Sequence, residues 1–346
     1  MRALLVRRED ANAESLADRV LCQDVRAASG AVSFAKGRVI QSDDVPALLT
    51  LPWDELHLLR MEDGDVHEDE AGSRLAAAAA GDGIEVRASS AGHWPLAASV
   101  RGILEVATSP LRDVNAIEGI CVYTLYDGQV VEEGEVVARA KITPFVLAGA
   151  RLHAAERVAE QSHGLVGLRR FLPKQVGAVV QESLGERAMA RFRDALGEKV
   201  HWFGSTLLEP AFVTPRAEAI AHAVTRLLDQ GAHIVTIAGT KAMDALDPAF
   251  TALDHLGARM ERHGVPAHPG SLFWLARCGG VPILGMPTCG LFSQATVFDL
   301  VLPRLLTGEE VGGAQLADLG HGGFLTRDMS FRFPPYRKSK DRGELE

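Results

Sequence analysis

The chain has 346 residues, a length that suits two or three domains with separate cores. Hydrophobic residues make up 47% and charged residues 23%, the ordinary globular range, which excludes a disordered or fibrous chain. Lys and Arg number 36 against 45 Asp and Glu, a net charge of −9, and only 3 Tyr and 4 Trp are present, so neither a dedicated nucleic-acid binder nor an anionic-membrane binder is expected.

Cys22, Cys121, Cys278 and Cys289 are scattered with no CxxC pair, which leaves no basis for a zinc ribbon or a disulfide framework. The opening MRALLVRRED turns charged too early for a signal core. Every uncharged apolar stretch falls well short of the roughly 18 residues of a membrane span. A soluble cytoplasmic protein is the expectation.

In chain order, a short extended piece precedes ESLADRVLCQDV (14–25). Over 35–49 a Gly turn leads into a strand-like Arg38-Val39-Ile40. Ser42 or Asp43 then caps a short helix with Val45, Leu48 and Leu49 at i, i+3 and i+4. Residues 51–61 predict a half-buried strand. The acidic run 62–70 admits a metal site, but carboxylates at the start of the alanine-rich helix 70–80 suit its dipole better. Residues 83–106 alternate as strands. Over 126–147, the Asp127-Gly128 and Glu133-Gly134 turns separate Val-rich segments in the manner of a hairpin. A helix over 151–164 ends at Gly164. Residues 1–170 are thus expected to be mixed α+β and β-rich, in two subdomains of about 1–75 and 76–170.

From residue 172 the rhythm becomes regular. Apolar runs at 176–181, 199–204, 233–239 and 281–287 predict buried strands. Helical patterns at 185–198, 215–230, 247–258, 270–280 and 293–306 lie between or after them. In 215–230, Ile220, Ala223, Val224, Leu227 and Leu228 form one apolar face, with Thr214 as N-cap, Pro215 at N1 and Gly231 as the stop. Such alternation requires a mostly parallel sheet with helices on both faces, a three-layer α/β/α domain over 171–310. The tail 311–346 is expected to be extended or disordered.

In an open parallel sheet, ligands sit beyond the carboxyl ends of the strands. That rule selects AGTKAMDALD (238–247) and MPTCGLFS (286–293). Gly239, Thr240, Lys241, Asp244 and Asp247 mark the first loop, and Pro287, Thr288, Gly290 and Ser293 the second. Amides at two helix starts converging on one edge would suit a phosphorylated ligand. Each loop taken alone also reads as an ordinary turn. No GxxxxGK[ST], GxGxxG or GxSxG is present. His268, before Pro269, Gly270 and Ser271, belongs at the same mouth or on a solvated turn. His321 suits a capping role, and Cys278 and Cys289 suit inert thiols.

These loops carry a family likeness. Residues 172–308 resemble the molybdopterin-binding domain of molybdenum-cofactor biosynthesis proteins, shared by the molybdotransferase and the adenylyltransferase. The family's T-x-G-G-x-S-x-G-D is matched by Thr236, Gly239 and Asp244, with Ala238, Lys241 and Met243 replacing Gly, Ser and Gly. Its K-P-G resembles His268-Pro269-Gly270, and its G-x-P-G-N-P resembles 285–290. ATVFDLVLPRLLTGEE is in the family style. SLADRVLCQDV resembles the opening helix A-x-G-R-V-L-A-E-D-V, keeping Arg19, Val20, Leu21, Asp24 and Val25. The catalytic S-x-M-D-G-[YF]-A signature has no counterpart.

The resemblance implies molybdopterin, or its nucleotide form, as ligand, held through Thr236, Gly239, Thr240, Lys241, Asp247, Pro269, Gly270, Ser271, Pro287, Thr288, Gly290 and Ser293. Lys241 would neutralise the terminal phosphate, and Asp244 would orient the pterin or hold Mg²⁺ beside phosphate or molybdate, both acting catalytically if molybdate is inserted. A homo-oligomer is implied, with a molybdoenzyme or other assembly proteins as partners. The alternative is a non-catalytic carrier of the cofactor, and a further one is a nucleotide pyrophosphate hydrolase on the same fold.

Overall fold

A computed structural model of the protein describes residues 1–90, 92–287 and 296–336. The chain divides into two units: residues 1–100, 104–127 and 132–168, and residues 101–103, 128–131 and those from 169 on.

In the first unit, β1 (Arg2–Arg7), β2 (Arg19–Leu21) and β3 (Glu55–Arg60) form an antiparallel sheet in the order β1-β3-β2. Leu16, Leu21, Ile40, Leu48, Leu56 and Leu58 form its core. The opening helix implied by the resemblance is only one turn, Ala13–Leu16. Asp18 then takes φ +59 and the chain enters β2, where Val20 and Leu21 pair with β3. The acidic run opens α1 (Glu68–Ala79), whose first turn carries Glu68, Asp69 and Glu70 at the positive end of the dipole.

A second antiparallel sheet comprises β4 (Ile84–Val86), β5 (Trp94–Ala98), β6 (Ile120–Thr124) and β7 (Val136–Ile142), in the order β6-β7-β5-β4. Helix α1 packs on one face of it. A Cβ at Gly72 would meet the Trp94 ring at 2.2 Å, so this approach needs glycine. After α2 (Thr108–Asn115), the Asn115 side chain exchanges two 2.7 Å hydrogen bonds with the Val122 backbone and closes that strand edge. Helix α3 (Gly149–Gln161) follows. The single hairpin expected over 126–147 is not formed: Gly128 and Gly134 turn the chain, but Val130–Val131 pairs with Gly102 and Ile103 instead of with β7.

The second unit is built on a seven-stranded sheet. Its members are β8 (Gln175–Val180), β9 (Thr206–Leu207), β10 (Ala211–Phe212), β11 (Ile234–Ala238), β12 (Arg259–His263), β13 (Trp274–Cys278) and β14 (Val281–Met286). The order is β9-β8-β11-β14-β13-β12, with β10 also on β8. Strands β8 to β11 and β14 pair in parallel, and β13 and β12 add an antiparallel edge. Successive side chains alternate between two cores. Val176, Ala178, Ile234 and Leu284 pack with α4 (Glu186–Trp202) and α7 (Val297–Leu306). Val179, Val235, Ile237 and Ile283 pack with α5 (Ala217–Asp229) and α6 (Pro248–His255).

Two expected elements change type. The run 199–204 is no strand; α4 continues through Trp202, because Phe192, Leu196 and Val200 keep helical spacing on the buried face. The predicted helix 270–280 is strand β13. Gly279 and Gly280, both at positive φ, form the two-residue turn that brings Cys278 opposite Val281.

The tail is folded as far as residue 336. A helix spans Gly313–Ala317, 3-10 turns span Asp318–Gly320 and Arg327–Arg332, and Tyr336 is buried with its hydroxyl donating to Asp299 Oδ1 at 3.0 Å. Residues 337–346 lie outside the described residues. Burial first, and then the Asp299 charge, pushes the Tyr336 phenol well above its ordinary value. A phenol raised on folding stabilises the fold fully below its unfolded value of about 10, and that contribution is lost as pH rises toward the folded value. Denaturant titrations across this alkaline range should therefore show stability falling in the parent protein, and a flatter alkaline limb in Tyr336→Phe.

Candidate functional site

Strands β11 and β14 are parallel neighbours, with Ala238 opposite Met286, so both deliver their following loops to one edge of the sheet. The chain leaves β11 at Gly239, whose φ of +85 turns it sharply. A Cβ there would stand 2.8 Å from Glu182 Cγ.

On the first loop, the amides of 239–241 are already bonded within the chain. Gly239 N and Thr240 N both donate to Met286 O, at 3.0 and 3.3 Å. Lys241 N donates to Asp247 Oδ2 at 2.7 Å. The Asp247 carboxylate also accepts from Ala249 N at 2.9 Å, as N-cap of α6, and from Gln181 Nε2 at 3.0 and 3.1 Å. Gln181 Nε2 reaches Gly239 O as well, at 3.0 Å. Asp247 is 1% exposed, so the residue expected to contact a ligand instead organises the turn. Thr236 is likewise not at the mouth. It is fully buried within β11, its hydroxyl 3.5 Å from Gly177 O.

The remaining loop residues face outward. Lys241 and Asp244 are exposed, and Asp244 Oδ1 accepts from Leu246 N at 3.0 Å. Gly239, Thr240, Lys241, Asp244, Glu182, Leu272 and Pro287 border an open hollow of about 520 Å³. The Thr240 hydroxyl is buried there and has no hydrogen-bond partner among the described residues. A second hollow, of about 260 Å³, is bordered by His268, Pro269, Gly270, Ser271, Phe273, Met286 and Phe298, and it shares Leu272 and Pro287 with the first. Gly270 is required here: a Cβ would stand 2.8 Å from Val297 N.

The structure thus gathers Gly239, Thr240, Lys241, Asp244, Pro269, Gly270, Ser271 and Pro287 along two adjoining hollows. It turns Thr236 and Asp247 inward. Thr288, Cys289, Gly290 and Ser293 lie outside the described residues. Cys278 is half-buried, with Sγ 3.5 Å from Leu256 O, in keeping with a packing role.

Among the described residues, no group of three or more His, Cys, Asp or Glu could hold a metal ion. Mg²⁺ commonly takes one or two carboxylates together with substrate phosphates and water. Asp244 and Glu182 on one hollow fit an ion that arrives with a phosphorylated ligand, and do not fit a resident ion enclosed by protein.

Sequence reasoning missed Gln181 and Glu182, whose signal was two polar residues directly after a buried apolar strand. It also missed a buried cluster behind the second hollow. Lys199 Nζ and Asp299 Oδ1 are 2.7 Å apart, at 4% and 0% side-chain exposure. Asp299 Oδ2 accepts from Thr296 N and Oγ1, at 3.1 and 2.9 Å, fixing the start of α7, whose first residues border that hollow. A lysine on the apolar face of a helix was the available signal, hidden once 199–204 was read as a strand.

No protein-family model matches the chain, and no curated protein matches it by sequence. Among solved structures it is similar to a molybdopterin biosynthesis MoeA protein from Pyrococcus horikosii, at 15% identity and a TM-score of 0.30, over 70% of this chain and 79% of that one. A protein described as a molybdenum cofactor biosynthesis protein from Corynebacterium diphtheriae shows 12% identity and a TM-score of 0.27, over 42% of this chain and 99% of that one. A NadC deletion mutant shows 11% identity and a TM-score of 0.17, over 54% and 79%.

Proposed function

We propose that the second unit binds molybdopterin and serves molybdenum-cofactor assembly or delivery. The observation that carries this reading is that three separate segments resembling the family's motifs, 239–244, 268–271 and Pro287, border two hollows that share a wall. The hollow beside Lys241 would take a phosphate, and the mainly apolar second one the flat face of a ring.

With the Gly239, Thr240 and Lys241 amides bonded within the chain, charge for the phosphate comes from the exposed Lys241 ammonium. A hydrogen bond to a charged partner contributes about 1.5–3 kcal/mol. Asp244 and Glu182 would orient pterin nitrogens or share a magnesium ion carried in with the phosphate. The buried Thr240 hydroxyl would gain a partner from a seated ligand. Lys241→Ala is expected to weaken molybdopterin affinity about tenfold or more in an anaerobic equilibrium titration. Unchanged affinity would remove Lys241 from the site.

A non-catalytic carrier is the second reading, favoured by the internally bonded amides of 239–241, which leave Lys241 as the cation on this loop for a phosphate. Incubation with molybdopterin, molybdate and Mg²⁺, followed by reconstitution of an apo-molybdoenzyme, separates the two. Asp244→Asn should abolish reconstitution for an insertase. For a carrier supplied with finished cofactor, transfer should persist and fall only as far as the measured affinity for the cofactor falls.

A further inference from the structure

The outer face of the sheet β6-β7-β5-β4 bears an organised set of cations. Side chains alternate between the faces of a strand, and residues opposite one another across strands share a face. Trp94 and Leu96 turn inward and are buried, so His93 and Pro95 turn outward. The register then builds two rows on this face. Tyr123 lies opposite Arg139, Arg139 opposite Pro95, and Arg87 N donates to Pro95 O at 2.9 Å, which continues the row. Cys121 lies opposite Lys141 in the other row, and His93 stands one position beyond the Trp94–Ala140 pair, next to Lys141.

Arg87 and Arg139 are exposed and Lys141 is half-buried. No carboxylate forms an ion pair with any of the three among the described residues. Tyr123 Oη and His93 Nδ1 are 2.7 Å apart, with the rings edge to face. Burial first, then the charges of Lys141 and Arg139, holds the His93 imidazole below its ordinary value. Negative groups stand at its margins: Glu85 is opposite Ala97, the half-buried Glu68 interacts with Lys141 and Lys36, and the Arg87 guanidinium lies beside Gly134, between Glu133 and Glu135. In a chain of net charge −9, a pleated face that sets three cations in register, none of them in a direct ion pair among the described residues, is an exception that calls for a partner.

We propose that this face docks an extended acidic segment of a partner protein, with its carboxylates on Arg139, Lys141 and Arg87. Arg139 and Lys141 are two residues apart on β7, roughly 7 Å, the repeat at which alternate side chains of an extended peptide project on one side. Arginine and tyrosine are also the residue types enriched where protein interfaces concentrate their binding energy. A single-stranded nucleic acid fits less well, because Tyr123 is the one aromatic side chain that the two rows carry beside His93, and stacking of successive bases needs several. The proposal is independent of what the second unit binds.

The test is fluorescence anisotropy on the full chain with a labelled peptide of alternating Glu and Ser, at low and physiological salt. The expected result is saturable binding that weakens as salt rises, and a loss of roughly tenfold or more in affinity for the double variant Arg139→Glu/Lys141→Glu. Glu85→Lys should tighten binding, and the melting temperatures of these surface variants should match the parent. No binding by the parent, or equal binding by the double variant, overturns the proposal. So does oligothymidylate outcompeting the acidic peptide, which would assign the face to nucleic acid.

Discussion

Asp299→Ala is expected to destabilise the second unit by about 3–5 kcal/mol, because it removes the carboxylate that faces the buried Lys199 ammonium at 2.7 Å. The carboxylate accepts from Lys199 Nζ at 2.7 Å, Tyr336 Oη at 3.0 Å, Thr296 N at 3.1 Å and Thr296 Oγ1 at 2.9 Å, and all of these lose their acceptor at once. The relevant comparison is the double variant Lys199→Met/Asp299→Leu. Replacing both charges by apolar groups of similar volume is often neutral or stabilising, so the double variant should unfold at a higher denaturant concentration than the single one. If Asp299→Ala unfolds within about 1 kcal/mol of the parent, the ammonium has found water or another partner, and Asp299 is not what holds it in the core.

Gly285→Ala is the second large effect. Residue 285 lies in β14, inside the sheet, and an added Cβ would stand 1.8 Å from Cε2 of Trp274, a ring with no solvent exposure on the neighbouring strand. Neither backbone nor ring has room to yield, so a loss of about 3 kcal/mol or more is expected, at or beyond the upper end of ordinary overpacking. Trp274→Leu in the same background should recover part of it, and a double-mutant cycle from denaturant unfolding would give the coupling. A Gly285→Ala protein as stable as the parent would mean that the indole can shift, and that Gly285 is not what permits the packing.

The two effects mark where the amino-acid sequence was informative and where it was not. Strands 176–181, 233–239 and 281–287 were legible because continuous β-branched and apolar runs have few other uses. Helix α5 was legible from Ile220, Val224 and Leu227, although it starts at Ala217, two residues after the expected Pro215. Segment 199–204 was misread because Val200, Trp202 and Phe203 favour strands one at a time, while the buried face of a seventeen-residue helix decides them together. Segment 270–280 reads as a helix because an apolar run has no period of its own, whereas the Gly279-Gly280 pair turns it into a hairpin with the next strand.

The candidate site was legible as a location. The rule that ligands gather at carboxyl ends of parallel strands picked loops that border adjoining hollows. Individual roles were less legible, since no local pattern distinguishes an aspartate that meets a ligand from one that ties its own turn. Asp244 and Asp247 are three residues apart, one exposed and one 1% exposed. Gln181, fifty-eight positions before Gly239, is what draws Asp247 inward, and such a pairing has no signature short of the fold.

The bonds around Asp247 have a thermodynamic corollary. A turn whose shape is held by its own carboxylate needs no guest to set it, so association there should freeze few torsions and proceed with a small entropic penalty and little change in the rigidity of 239–249. The same arrangement makes the turn sensitive to its internal anion. In Asp247→Asn one negative charge vanishes from beneath Lys241, and the pocket should become more attractive to anions while the loop itself becomes less firmly fixed.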